Sequence, residues 1–218
     1  NMKYILTILS IFVSLPICSQ GVWERPDTEK PVTEKKVKKE IEKEDNKIDD
    51  KYLAGAVTEK DGKVEWTLEI DVPGKSAVDI YNTMLTFLTD FTKQDNQLEG
   101  SCVSLVNKQD HIIVASIREW LVFKENFLMI DRTKFFYTLM VYCDNAKLKV
   151  VMNRIYYRYE EERIKGGHLY KAEEWINDKS ALNSKKNKLI RGTAKFRIKT
   201  IDRKDQLFEM IQAAVIGK

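Results

Sequence analysis

Between residues 64 and 72 apolar and polar side chains alternate. Val64, Trp66, Leu68, Ile70 and Val72 fall on one side, and Glu65, Thr67, Glu69 and Asp71 on the other. A period of two predicts a strand with one buried and one wetted face. Residues 54–58 form a second extended run. Between the two lies Lys60-Asp61-Gly62-Lys63, and Asp-Gly at that place predicts a tight hairpin. Pro73-Gly74 ends the strand and the period changes. Ile80, Met84, Leu88 and Phe91 recur at helical spacing, widened by Tyr81 and Leu85, and Ser76 with Asp79 reads as a capping box. A helix is predicted over residues 76–93. Four extended segments follow, at 101–107, 111–123 (with 127–130 as a continuation), 135–143 and 147–159, all rich in Val, Ile, Phe and Tyr. Lys108-Gln109-Asp110, Asp131-Arg132-Thr133 and Asp144-Asn145 read as the turns between them. Such short connections predict an antiparallel meander.

After the meander, residues 160–192 read as an excursion: a charged exit ending in Gly166-Gly167, a short helical stretch over 169–177 with Trp175, and a basic loop. Asp202-Arg203-Lys204-Asp205 marks the start of the last helix, with Ala194 as an earlier alternative. Phe208, Ile211 and Val215 form its stripe, and Gly217 ends it. The order is therefore β-α-β-β-β-β-α. The class is α+β, with two long helices on one face of an antiparallel sheet.

The first 51 residues have a different pattern. Lys3 precedes residues 4–17, which carry no charge and are mostly Ile, Leu, Phe and Val. That is short for a membrane span and fits a signal peptide over residues 1–19, cut after Ser19. A short anchor and a lipoprotein signal are the alternatives, and the bulky Ile17 before Cys18 disfavours the second. Asn1, ahead of Met2, is left out of the fold. Residues 20–51 read as a disordered linker: from 21 to 51, nine residues are basic and ten acidic. Such a stretch buries too little apolar surface to offset its ordering entropy. No later stretch predicts a membrane span, so the mature chain is expected to be soluble and exported.

Composition and candidate chemistry narrow the function. Nine glycines and four prolines exclude a collagen-like chain. In the meander, a third strand separates those of Cys102 and Cys143, so their backbones stand ~9–10 Å apart, beyond a disulfide's reach of about 7 Å. An exported protein could still bridge them. Only two histidines occur, His111 and His168, and no Cys-x-x-Cys or His-x-x-x-His spacing predicts a metal site. A nucleophile pair of Cys143 with His168, or paired carboxylates from Glu160-Glu161-Glu162 and Glu173-Glu174, are the remaining routes to hydrolysis. Tyr156, Tyr157 and Tyr159 with Arg154 and Arg158 have the composition of a base-stacking surface, but a net charge of +4 is weak for nucleic acid.

One further set of residues carries a resemblance. Tyr52-Leu53-Ala54-Gly55-Ala56-Val57, Val72-Pro73-Gly74-Lys75-Ser76, Glu119-Trp120-Leu121-Val122-Phe123-Lys124, Arg154-Ile155-Tyr156-Tyr157, Ala172-Glu173-Glu174-Trp175-Ile176 and Ala181-Leu182-Asn183 resemble an exported domain-of-unknown-function family of Bacteroidetes-type bacteria with a TATA-binding-protein-like fold. The likeness spans nearly all of residues 52–218. It implies that fold, and the periplasm or cell envelope of a Gram-negative bacterium. It brings no catalytic residue, no cofactor and no metal. A fold by itself does not carry DNA binding.

Phe135-Phe136-Tyr137 and Val150-Val151-Met152 are apolar at consecutive positions, so both sheet faces are partly apolar while the helices cover only one. The expected function is a non-enzymatic binding or protein-interaction domain using Trp66, Tyr81, Phe136, Arg154, Tyr156, Tyr157 and Trp175. The alternative is a carrier of a small apolar ligand or lipid, with Trp66, Tyr81, Phe136 and Tyr156 lining a closed cavity; an envelope hydrolase ranks behind both. The partners expected are an unidentified protein, a small apolar ligand or a second copy of the chain, and not nucleic acid.

Overall fold

The computed structural model describes residues 48–161 and 166–217. The expected signal peptide and the linker as far as residue 47 lie outside the described residues. The last four linker residues do not: Asp50–Tyr52 is a 3-10 turn, pinned where Lys51 Nζ and Tyr52 Oη donate to Asp202 at 2.9 and 2.7 Å. The folded unit accordingly starts at Ile48.

Strands β1 (Glu59–Lys60) and β2 (Lys63–Val64) make the small hairpin around Asp61-Gly62. Both turn residues have positive φ, which is what Asp-Gly supplies at lowest cost. Residues 54–58 do not form a strand, and Glu65 interrupts the long alternating run, so β3 is Trp66–Asp71. Helix α1 (Ala77–Phe91) is capped reciprocally by Ser76 and Asp79. It buries Ile80, Met84 and Leu88 completely, worth about 1.5–3 kcal/mol for each side chain taken from water.

Then come β4 (Cys102–Asn107), β5 (Ile112–Asn126), β6 (Met129–Asp144) and β7 (Lys147–Tyr159). With β8 (His168–Lys171) they complete one antiparallel sheet in the order β3-β7-β6-β5-β4, β8 lying beside the far half of β7. Two short helices, α2 (Ala172–Trp175) and α3 (Asp178–Ala181), lead to α4 (Arg191–Ile216).

Three further expectations need correction. Asp131-Arg132-Thr133 is not a turn. The β5–β6 turn is at Phe127-Leu128, where Asn126 Oδ1 accepts both Leu128 N and Met129 N; residues 131–133 stay paired with β5. The last helix starts at Arg191, not Asp202, because Phe196, Arg197, Thr200 and Ile201 extend its buried stripe upstream. The 202–205 charges lie in mid-helix, where Asp202 takes Lys51 and Tyr52 and Arg203 takes Glu119 as partners, rather than opening it. The expected helix over 169–177 begins instead as strand β8, and only its second half is helical.

α1 and α4 pack on one another and on the same side of the sheet, as expected. This inner side carries Ile113, Ala115, Ile117, Phe135, Tyr137, Leu139, Val141, Val150 and Met152, all buried. A bulge in β7 sets Arg154 and Ile155 against Tyr137 of β6, with Arg154 in the left-handed region at φ 53°. An extra residue reverses the alternation that follows it. Before the bulge even-numbered residues of β7 face inward; after it, Ile155 and Tyr157 do. Cys102 and Cys143 are both free, with β5 between their strands. Burial pushes the Cys143 thiol up to about 12, with Asp144 adding to it.

Candidate binding surface

The outer side of the sheet is where no helix among the described residues packs. Pairing register determines which side chains meet there. One row runs Arg118 (β5), Phe136 (β6), Tyr156 (β7), Lys171 (β8); the next runs Trp120, Lys134, Arg158, Leu169. Directly paired residues share a face, so an aromatic ring and a cation follow one another along each of β5, β6 and β7: Arg118 and Trp120, Lys134 and Phe136, Tyr156 and Arg158. The Phe136 and Tyr156 rings stack with centroids 4.4 Å apart and planes 3° apart. The Arg132 guanidinium lies 3.8 Å from the Trp120 ring centroid, in favourable cation–π reach. Arg118 reaches back over Gly100, and at that glycine's φ of +87° a Cβ would fall on the guanidinium. The backbone conformation favours glycine there, and any side chain would have to displace the exposed Arg118 guanidinium.

Two clefts open on this strip. One, about 610 Å³, is lined by Trp120, Met129, Ile130, Arg132 and Tyr159 among others. The second, about 460 Å³, is lined by Leu98, Glu99, Arg118, Phe136 and Tyr156. Lys134, Arg158 and Glu161 line both. Glu161 forms an ion pair with Lys134 and lies 3.7 Å from Arg158. A carboxylate of the chain's own thus sits between two cations at the junction of the clefts.

At the rim, Lys195 Nζ donates to Asp131 at 2.8 Å and to Tyr159 Oη at 2.7 Å, and Tyr159 Oη donates to Asp131 at 2.9 Å. Burial raises the Tyr159 hydroxyl above its ordinary range despite the Lys195 contact. Burial also works against the Lys195 charge, but the hydrogen bonds to Asp131 and Tyr159 outweigh it and hold the ammonium protonated. The cluster is a neutral phenol beside an ion pair, which lacks the lowered amine or phenol pKa of an activated base or nucleophile.

The residues expected to form the surface are divided by the sheet. Phe136 and Tyr156 lie on the outer side, and Arg154 is exposed at the bulge. Trp66, Tyr81 and Tyr157 are buried on the inner side, and Trp175 stacks on Tyr170 at 3.9 Å beside Phe196. Trp66, Tyr81, Phe136 and Tyr156 therefore do not line one cavity. Tyr157 Oη meets Thr200 Oγ1 at 2.8 Å, a core contact, and Trp66 Nε1 donates to Ala56 O at 3.0 Å.

Cys143 and His168 stand near opposite ends of β7, opposite Leu148 and Tyr159. Eleven residues of strand separate those positions, about 36 Å, so the two form no catalytic pair. Glu161 and Glu173 are both taken up by lysines, Lys134 and Lys63. Among the described residues no group of three His, Cys, Asp or Glu side chains is arranged to hold a metal, and no helix is long and apolar enough to cross a membrane.

Arg118, Trp120, Arg132 and Lys134 did not stand out as site residues in the sequence. Their signal was parity: in β5 and β6 they share the even-numbered outer face with Phe136. Reading it required the β5–β6 register, which the misplaced turn at 131–133 obscured.

Residues 66–158 match a domain of unknown function with TBP-like fold, DUF4468. The chain is also similar to a solved DUF4468 family protein from Bacteroides ovatus, at 39% identity and a TM-score of 0.72. The match covers 79% of this chain and 97% of that one. A TBP-like protein from Parabacteroides distasonis matches at 21% identity and a TM-score of 0.58, over 73% and 96% of the two chains, which bears on the fold alone. No curated protein matches.

Proposed function

The chain belongs to the DUF4468 family, whose description assigns it no activity, and from the chemistry of the outer face we propose that it is an exported, non-enzymatic binding domain of the cell envelope. Its ligand is a segment of a partner protein that presents carboxylates beside apolar or planar groups. The observation that carries this reading is the strip Arg118-Phe136-Tyr156 next to Trp120-Lys134-Arg158. Rings supply apolar area at low entropy cost, and cations fix acidic groups between them. Glu161 acts as the resident counter-ion and is exchanged for the partner's carboxylate. The clefts have the size of small-molecule sites, but they lie open on a face lined largely by charged residues, which suits a peptide better than a lipid. Nucleic acid fits poorly, since Glu161 and Glu99 lie along the path a phosphate chain would follow.

The test uses 8-anilinonaphthalene-1-sulfonate, a planar anion that fluoresces when bound in an apolar site. Wild type is expected to bind it. The pairs Phe136→Ala/Tyr156→Ala and Lys134→Ala/Arg158→Ala should each weaken binding at least fivefold, and Glu161→Gln should strengthen it by freeing two cations. Equal binding by wild type and both double variants would refute the assignment of the surface.

A further inference from the structure

Beyond Val122 and Arg132 the β5–β6 hairpin leaves the sheet. The pairing of β7 with β6 stops at Lys134, and that of β4 with β5 at Ser116, so residues 122–132 form a two-stranded arm. Its tip is Phe127-Leu128-Met129-Ile130. Phe127 is 100% and Leu128 89% exposed, and Met129 and Ile130 are about half exposed. Four consecutive apolar residues held outward in a folded domain form an exposed patch of the kind that marks an interaction site.

We propose that this tip inserts into the interface of a lipid bilayer. Three features of the arm favour lipid over a protein pocket. First, two amides of the turn are met from within it, since Asn126 Oδ1 accepts from Leu128 N and Met129 N at 3.1 and 2.9 Å. Hydrocarbon offers polar groups no partner, so a segment entering it must bring its own. Second, the residues are layered by depth. Phe127-Leu128, Met129 and Ile130 occupy three levels, about 7 Å at a strand rise of ~3.3 Å per residue, with Asn126 and Glu125 opposite the last two; that is within the depth reached by interfacial segments. Behind it come Lys124 and Arg132, at the level of headgroup phosphates, and then Trp120 under Arg132, matching the cation and aromatic belts of membrane interfaces. Third, of the two acids on the arm Asp131 is held by Lys195, while Glu125 is exposed opposite Ile130, one step nearer the turn than Lys124, and sets the depth to which the tip can enter. Apolar burial is thus the main source of binding, with a modest preference for anionic lipid. The arm adjoins the strip of the proposed function through Trp120 and through Met129 and Ile130 in the first cleft, but Phe127 and Leu128 line neither cleft.

A reporter at the tip tests the proposal in the full chain, whatever residues 1–19 contribute. In Phe127→Trp, the difference emission against wild type is read on vesicles of phosphatidylethanolamine and phosphatidylglycerol, with and without acyl-chain bromination. The expected result is a blue shift on vesicle addition and at least twofold quenching by the brominated lipid. Phe127→Ser/Leu128→Ser should bind these vesicles more weakly than wild type while keeping wild-type anilinonaphthalene sulfonate binding on the outer face. A tip tryptophan that keeps its water-exposed emission on vesicles that sediment the protein would overturn the proposal, as would a failure of the protein to sediment with them.

Discussion

Replacing Glu119 by alanine is expected to cost about 3–5 kcal/mol, the range for breaking a buried ion pair from one side. For a domain of this size that corresponds to a fall in melting temperature of ~10 °C or more. Glu119 is fully buried on the inner face of β5. Its Oε1 accepts from Tyr137 Oη at 2.9 Å and Arg203 Nε at 2.8 Å. Its Oε2 accepts from an Arg203 terminal nitrogen at 2.7 Å, Gln97 at 2.9 Å and Asn96 at 3.1 Å. Five donors thus converge on one carboxylate and join α4, β5, β6 and the loop after α1. Alanine strands all five and leaves the Arg203 charge largely buried, whereas Glu119→Gln keeps the shape and part of the bonding and should lose less. Urea unfolding of both variants checks this. A loss under about 1 kcal/mol in Glu119→Ala would show that the network adds little beyond an ordinary hydrogen bond.

Arg197→Met is expected to have the second-largest effect. The Arg197 side chain is completely buried in the first half of α4. It donates to the carbonyls of Tyr52, Leu53 and Ile176 at 2.7, 2.6 and 2.6 Å, and to Asp178 at 2.8 Å. Methionine fills most of the volume and supplies no donor. The carbonyls of Tyr52 and Ile176 lose this donor and half-buried Asp178 loses its cation, while Leu53 O and Asp178 keep the amides of Ala56 and Gly55; the loss should be roughly 4 kcal/mol, taking about 1–3 for each group and allowing for relaxation. The damage should be local first. Residues 50–57 and 172–181 are tied to α4 and to one another by this guanidinium, alongside the Asp202 and Phe196 contacts, so their amides should exchange hydrogen faster than those of β5–β7. Uniform loss of protection across the domain would contradict that role.

Both networks illustrate what the amino-acid pattern hides. Glu119 stands in the sequence as one acid among thirty-three acidic residues, and no local pattern marks it as buried; its partners come from β6, α4 and the loop after α1, 18 to 84 residues away. Arg197 is likewise explained only by carbonyls from two remote segments. The elements set by local chemistry were legible. The Asp61-Gly62 turn, the Ser76–Asp79 cap and the Ile80-Met84-Leu88 stripe each follow from neighbours in the chain. Where local signals competed, the wrong one was read: Asp131-Arg132-Thr133 has turn composition, yet Lys195 and Tyr159 hold Asp131 within a strand and Asn126 supplies the turn instead. The candidate surface was half legible. Consecutive apolar residues revealed a second sheet face, but one bulge at Arg154 decides that Tyr156 belongs to it and Tyr157 to the core.

That division of the sheet underlies both the strip and its assignment, and hydroxyl-radical footprinting read by tandem mass spectrometry tests it side chain by side chain. The neighbours Phe135/Phe136 and Tyr156/Tyr157 provide internal pairs of equal chemistry. Phe136 and Tyr156 should oxidise readily and become protected when anilinonaphthalene sulfonate is added, while Phe135 and Tyr157 should stay protected throughout. Equal oxidation within each pair, or protection of Phe136 and Tyr156 before any ligand is present, would mean that the outer face is covered and that the binding surface lies elsewhere.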